Sequence, residues 1–115
     1  LFKGSQTGSY ATIERMRGYT VPVLLWQISK ADEGRLDIYE GFPDFYYKQR
    51  VEVETEHGLE KGMAYIMHEE RQLGTPTARY YDVLERAYEA FGFDLQILQD
   101  AYAISRDGNT LSTRA

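Results

Sequence analysis

The run Val21-Pro22-Val23-Leu24-Leu25-Trp26-Gln27-Ile28 constrains this chain more than any other stretch. It is nearly continuous in apolar residues, the pattern of a strand buried on both faces. Pro22 then belongs at its start, because proline has no N–H to give an interior ladder. Such a strand needs sheet neighbours and covering layers, so the flanking segments decide the fold. At 115 residues the chain makes about one domain, with enough length for one modest core.

The segments around the run read as mixed elements. Gly4-Ser5-Gln6-Thr7-Gly8-Ser9 reads as a loop, Tyr10 to Glu14 as a short strand, and Arg15 to Tyr19 as a turn. After the run, Ser29 with Asp32 signals the start of a short helix. Ala31, Leu36 and Tyr39 are its expected core side, Gly41 its left-handed cap and Pro43 its breaker. Lys48 to Thr55 alternates, Glu56 to Glu60 turns, and Gly62 to Met67 returns as a hairpin partner. Thr75 is then expected to cap a helix with Pro76 in its first position and Gly92 at its end. Tyr80, Leu84, Ala87, Tyr88 and Phe91 fall on one face of that helix. Asp94 opens a further helix carrying Leu95, Leu98, Ala101 and Tyr102, and a frayed tail is expected over 106–115. The sum is an α+β domain over residues 1–105, with a mostly antiparallel sheet and flanking helices.

Composition excludes several kinds of chemistry. A net charge of −5 argues against non-specific phosphate binding, so no nucleic-acid partner is expected. With no cysteine there is no disulfide, thiol nucleophile or thiolate-held metal, which fits a reducing, cytoplasmic setting. His57 and His68 lie far apart with no metal-ligand spacing, so no metal site is expected. No apolar run is long enough to span a membrane. The start carries no signal-peptide pattern and no initiator methionine, so the expectation is that the chain begins inside a longer protein. Catalysis in such a chain leans on carboxylates, tyrosines and backbone dipoles.

One carboxylate fits that description. Glu40 ends the short helix, glycine follows it, and five aromatics crowd the stretch from Tyr39 to Tyr47. The negative end of the helix dipole and desolvation by aromatic neighbours both disfavour the ionised form. A carboxylate with a raised pKa suits a general acid–base. The plainer reading is a solvated glutamate at a helix end, with the aromatics as core. Asp37 is expected in a surface pair with an arginine, and Arg15, Arg17, Arg50 and the segment His68-Glu69-Glu70-Arg71 as solvated.

Three stretches, in order, resemble the gamma-glutamylcyclotransferase-like family in its small, mainly bacterial branch. They are Phe2-Lys3-Gly4 with Tyr10-Ala11-Thr12-Ile13 and the apolar run; Ala31-Asp32 with Leu36-Asp37-Ile38-Tyr39-Glu40-Gly41-Phe42-Pro43; and Tyr65-Ile66-Met67 with Gly74-Thr75-Pro76-Thr77-Ala78-Arg79-Tyr80-Tyr81. The resemblance implies a barrel-like sheet and an activity that releases pyroglutamate from a small gamma-glutamyl substrate without a cofactor. It implies that Glu40 is the catalytic acid–base and that Tyr46 and Tyr80 line the substrate cavity. For Tyr80, at the head of an apolar helix stripe, core packing is the competing role. Gln27 stands where the family usually has glutamate, and Leu25 where it often has a smaller residue. The family's first strand and its "YGSN" loop, which hold the glutamyl part of the substrate, have no counterpart here. Self-association or a complementing N-terminal segment is therefore expected. The alternative readings are a non-catalytic relative that binds a small metabolite or a protein, and a fragment active only with its missing strand.

Overall fold

A computed structural model describes the backbone of residues 1–5 and 8–114. Gln6 and Thr7, at the tip of the expected Gly4–Ser9 loop, lie outside the described residues, as does Ala115. In chain order the elements are β1 (Phe2–Ser5), β2 (Gly8–Ala11), α1 (Lys30–Glu40), β3 (Tyr46–Thr55), β4 (Gly58–Met67), β5 (Gln72–Leu73), α2 (Ala78–Ala90) and α3 (Leu95–Arg114). The class is α+β, and the pairings among the described strands are all antiparallel. The described strands form one three-stranded and one two-stranded sheet, and neither closes into a barrel. The chain divides into two compact units, Leu1–Pro22 with Glu69–Ala115, and Val23–His68. No described helix is long and apolar enough to cross a membrane.

In the first unit the strand order is β2-β1-β5. The glycine- and serine-rich opening read as a loop is largely strand, and β2 begins two residues before the expected Tyr10. Close backbone approach explains this. A Cβ on Gly4 would stand 2.3 Å from the Gly8 carbonyl oxygen, so glycine is what lets these strands meet. Phe2, 1% exposed, anchors the core, with its ring 6.2 Å from Tyr81 and 6.5 Å from Tyr102. Its backbone N–H donates to the buried Ser105 Oγ at 2.8 Å, which ties β1 to α3. Lys3 is buried as well, paired with Glu14 and donating to the Glu69 carbonyl at 2.9 Å.

The α2 helix starts later than expected. Thr77, not Thr75, is its N-cap, accepting from the Tyr80 N–H at 3.2 Å. Pro76 is buried ahead of the helix instead of occupying its first position. Tyr80, Leu84, Ala87 and Tyr88 form the half-buried stripe, whereas Phe91 lies beyond the helix end and is exposed. Gly92, at φ 69°, closes this helix in the left-handed conformation. Asp94 then accepts from the Gln96 N–H at 3.0 Å at the start of α3. The backbone of residues 106–114, read from sequence as a tail, belongs to α3.

The main departure from sequence expectation begins at Val21 and lies mostly in the second unit. Val21–Ile28 is not a strand in this structure, and Trp26 is 76% exposed. A strand forms by pairing, and no described segment pairs with these residues. Local composition makes a strand permissible; only a neighbour makes it one. The hairpin, by contrast, is longer than expected. β3 and β4 pair from Tyr46↔Met67 to Thr55↔Gly58 around a two-residue turn, Glu56-His57. Thr55 holds this turn, its hydroxyl donating to the Gly58 carbonyl at 2.8 Å and accepting from the His57 N–H at 3.1 Å.

Candidate active site

Local signals build α1 and fix where Glu40 stands. Ser29 and Asp32 form a reciprocal capping box, with Ser29 Oγ accepting from the Asp32 N–H at 3.1 Å and Asp32 Oδ2 accepting from the Ser29 N–H at 3.2 Å. At the other end Gly41 adopts φ 67°, ψ 39°. The Phe42 N–H then reaches back to the Asp37 carbonyl at 2.9 Å, and the Gly41 N–H to that of Ile38 at 3.2 Å. Glu40 is therefore the last helical residue, next to a chain reversal held by two backbone hydrogen bonds.

The helix buries a different face from the one expected. Ala31 and Leu36 are exposed, and Ile38 and Tyr39 are each 84% exposed. The half-buried positions are Asp32, Glu33, Asp37 and Glu40. Glu33, Asp37 and Glu40 follow i, i+4, i+7 spacing, so the inner stripe of α1 is acidic. The hairpin supplies the complement. Lys48 Nζ lies 2.6 Å from Glu33 Oε2 and 2.9 Å from the Asp37 carboxylate. The Tyr65 hydroxyl donates to Asp37 Oδ1, and Lys48 also sits 4.6 Å from the Phe42 ring centroid. Asp37 thus pairs with a lysine and a tyrosine rather than with an arginine.

Electrostatics separate these carboxylates. The hydrogen bonds from Tyr65 and then Lys48 hold Asp37 below the ordinary carboxylate range. Its partners shift the other way. Hydrogen bonds to Glu33 and Asp37 push the Lys48 ammonium up, while burial and the Asp37 contact push the Tyr65 phenol to about 12. Glu40 moves opposite to Asp37, because burial raises it above its ordinary value. Two acids one turn apart on one helix face are therefore tuned apart, one held ionised and the other drawn toward its neutral form.

Tyr46 begins β3 two residues before Lys48, so both leave the strand on one side, the side that grips α1. It is half-buried, with its ring 5.1 Å from that of Phe45 and its backbone opposite the fully buried Met67. His68 is not simply solvated: its Nε2 lies 2.7 Å from the Pro43 carbonyl oxygen, bracing the loop after Glu40. Tyr80 belongs to the first unit, where its hydroxyl accepts from the Ala11 N–H at 3.1 Å and its ring meets that of Tyr10 edge-on at 5.3 Å. Sequence reading missed Glu33, Lys48 and Tyr65. The signal available for them was the acidic i, i+4, i+7 stripe, which demands a cation from another element. Among the described residues, no group of three His, Asp or Glu side chains converges as a metal site.

A family model described as the AIG2-like family matches residues 20–95, well over half of the chain and inclusive of Glu40, Tyr46 and Tyr80. No curated protein and no solved structure matches the chain.

Proposed function

The chain belongs to the AIG2-like family, part of the gamma-glutamylcyclotransferase-like superfamily, and from that premise we propose that it cyclises a gamma-glutamyl compound to pyroglutamate with Glu40 as acid–base. The observation that carries the reading is a half-buried carboxylate at the end of α1 whose burial raises its pKa. In this scheme the ionised Glu40 takes a proton from the substrate's α-ammonium. The freed amine attacks the γ-carbonyl carbon of the same molecule, forming the five-membered ring. Glu40 returns the proton to the departing nitrogen as its bond to carbon breaks, and the ring nitrogen's second surplus proton passes to the freed amine. An amine or amino acid therefore leaves in its ammonium form, the ring keeps a neutral lactam N–H, and the carboxylate is regenerated. The nucleophile and electrophile share one molecule, so the protein's main task is to hold the folded attack geometry. A pKa raised toward the working pH serves both proton transfers.

The resemblance assigns Tyr46 and Tyr80 to substrate contact. For Tyr46 the supporting observation is its place on the α1 side of the hairpin. For Tyr80 the described hydrogen bond to Ala11 supports the competing packing role. The absence of cysteine supports a cytoplasmic setting for the same reaction. A second reading, a non-catalytic relative that binds a partner, draws support from the exposed Ile38 and Tyr39 on the outer face of α1. Product analysis separates the two. Incubation with gamma-glutamyl amino acids and amines is expected to release pyroglutamate and the free amine in equal amounts. Release of glutamate would indicate hydrolysis instead, and no turnover with saturable binding would favour the second reading.

A further inference from the structure

We propose that Lys48 and Tyr65 are positioning residues for Glu40, acting through Asp37 to fix how α1 sits on the β3–β4 hairpin. The inference rests on the assignment of Glu40 above and goes beyond it. Lys48 and Tyr65 are directly opposite one another in the hairpin register, so their side chains leave the sheet on one face. Both close on the same carboxylate, that of Asp37, from adjacent strands. Lys48 simultaneously holds Glu33, one turn further back. Two carboxylates on one stripe of the helix are thereby tied to two neighbouring strand positions. A helix held at two points a turn apart is biased against rolling about its axis or sliding along the hairpin. Its third inner residue, Glu40, follows from Asp37 by one turn of fixed geometry.

The attachment is polar where an ordinary amphipathic helix would use apolar contact. None of α1 is fully buried, and its large apolar residues face outward. The clamp therefore supplies directional hydrogen bonds and ion pairs where apolar burial is lacking. Directional contacts specify rotation, which apolar contact does only loosely, and an acid–base must be aimed. Lys48 has a second effect. Its single positive charge offsets one of the two negative charges that share Glu40's face, so Glu40 ionises beside less net negative charge than it otherwise would. The charged and titratable groups at half-buried positions of α1 and the adjoining part of the hairpin are Asp32, Glu33 and Asp37 on α1, Tyr46, Tyr47, Lys48 and Tyr65 on the hairpin, and His68 at its end.

The test reads Glu40 directly and then reads the rate. The ionisation midpoint of Glu40 would be followed by carbon-13 NMR of its carboxyl in wild type, Lys48→Met, Lys48→Arg and Tyr65→Phe, each first checked for native circular dichroism. The expected result is a midpoint that rises in Lys48→Met and returns toward wild type in Lys48→Arg. An unchanged midpoint in a folded Lys48→Met would overturn the proposal, whether or not the protein turns over any substrate. Should Lys48→Met not fold, Tyr65→Phe, which removes one hydroxyl, decides through a changed Glu40 carboxyl shift or its absence. In the pyroglutamate assay, Lys48→Met and Tyr65→Phe are expected to lose roughly 10–100-fold in kcat with KM little changed, as for a misplaced catalytic group. Full activity of both variants alongside an inactive Glu40→Gln would sink the positioning role and leave the assignment of Glu40 standing. Equal activity of Glu40→Gln and wild type would instead remove that assignment.

Discussion

Asp37 and Glu40 sit three residues apart, yet folding moves their pKa values in opposite directions, and each direction has a consequence for stability. Asp37 is held below its ordinary value of 3.8 by Tyr65 and Lys48. Its contribution is present above that value and is lost as pH falls through the lower, folded-state pKa. Glu40 is raised above 4.5, so the fold favours its protonated form. Its contribution is present below that value and is lost as pH rises through the folded-state pKa. Chemical denaturation as a function of pH is expected to show Asp37→Asn flattening the acid limb of the stability curve. Glu40→Gln is expected to flatten a gentle decline at higher pH. Unchanged limbs would contradict the tuning of the two acids. Glu40 itself was legible in the sequence, because its position at a glycine-capped helix end is a local property. Lys48 and Tyr65 were not, because they reach Asp37 across 11 and 28 residues of chain, and no local pattern records such distances.

At the scale of elements, the parts that sequence reading placed well are those with local causes. The α1 boundaries follow from the Ser29–Asp32 box and from Gly41, whose backbone conformation only glycine adopts easily. Gly41→Ala would force an L residue to φ 67° and bring its Cβ to 3.3 Å from that of Phe45. A loss of about 1–2 kcal/mol is expected from denaturant titration. A change within error would mean the reversal after Glu40 is not held as described. The hairpin was legible by alternation, since Val51 and Val53 are half-buried while Glu52 and Glu54 face out. Its length was not, because cross-strand pairing carries strands through residues of no particular propensity, such as Gly58 to Lys61. Val21–Ile28 shows the converse. Strong strand composition did not produce a strand where no described segment pairs with it. Thr75 and Thr77 flank Pro76 in the same sequence; Thr77 is the cap, and Pro76 is buried just ahead of it.

At the scale of the molecule, the core of the first unit depends on one polar contact that no periodicity announces. Ser105 is fully buried on α3 and accepts the Phe2 N–H. Ser105→Ala would leave that N–H without its partner in the interior, and a loss of about 1–3 kcal/mol is expected, read as a lower Tm in calorimetry. An unchanged Tm would show that the contact contributes nothing net. The fold class and the family were legible from the ordered motifs, and the family match bears them out. The composition pointed to carboxylate chemistry, and the second unit presents a half-buried carboxylate, Glu40, whose burial raises its pKa. The account therefore turns on Glu40, and its most direct test is the rate of pyroglutamate release by Glu40→Gln against wild type, both with native circular dichroism. We expect the variant to be slower by roughly 10²–10⁴-fold, the usual contribution of a general acid–base. Equal rates in the two proteins would contradict the account at its centre.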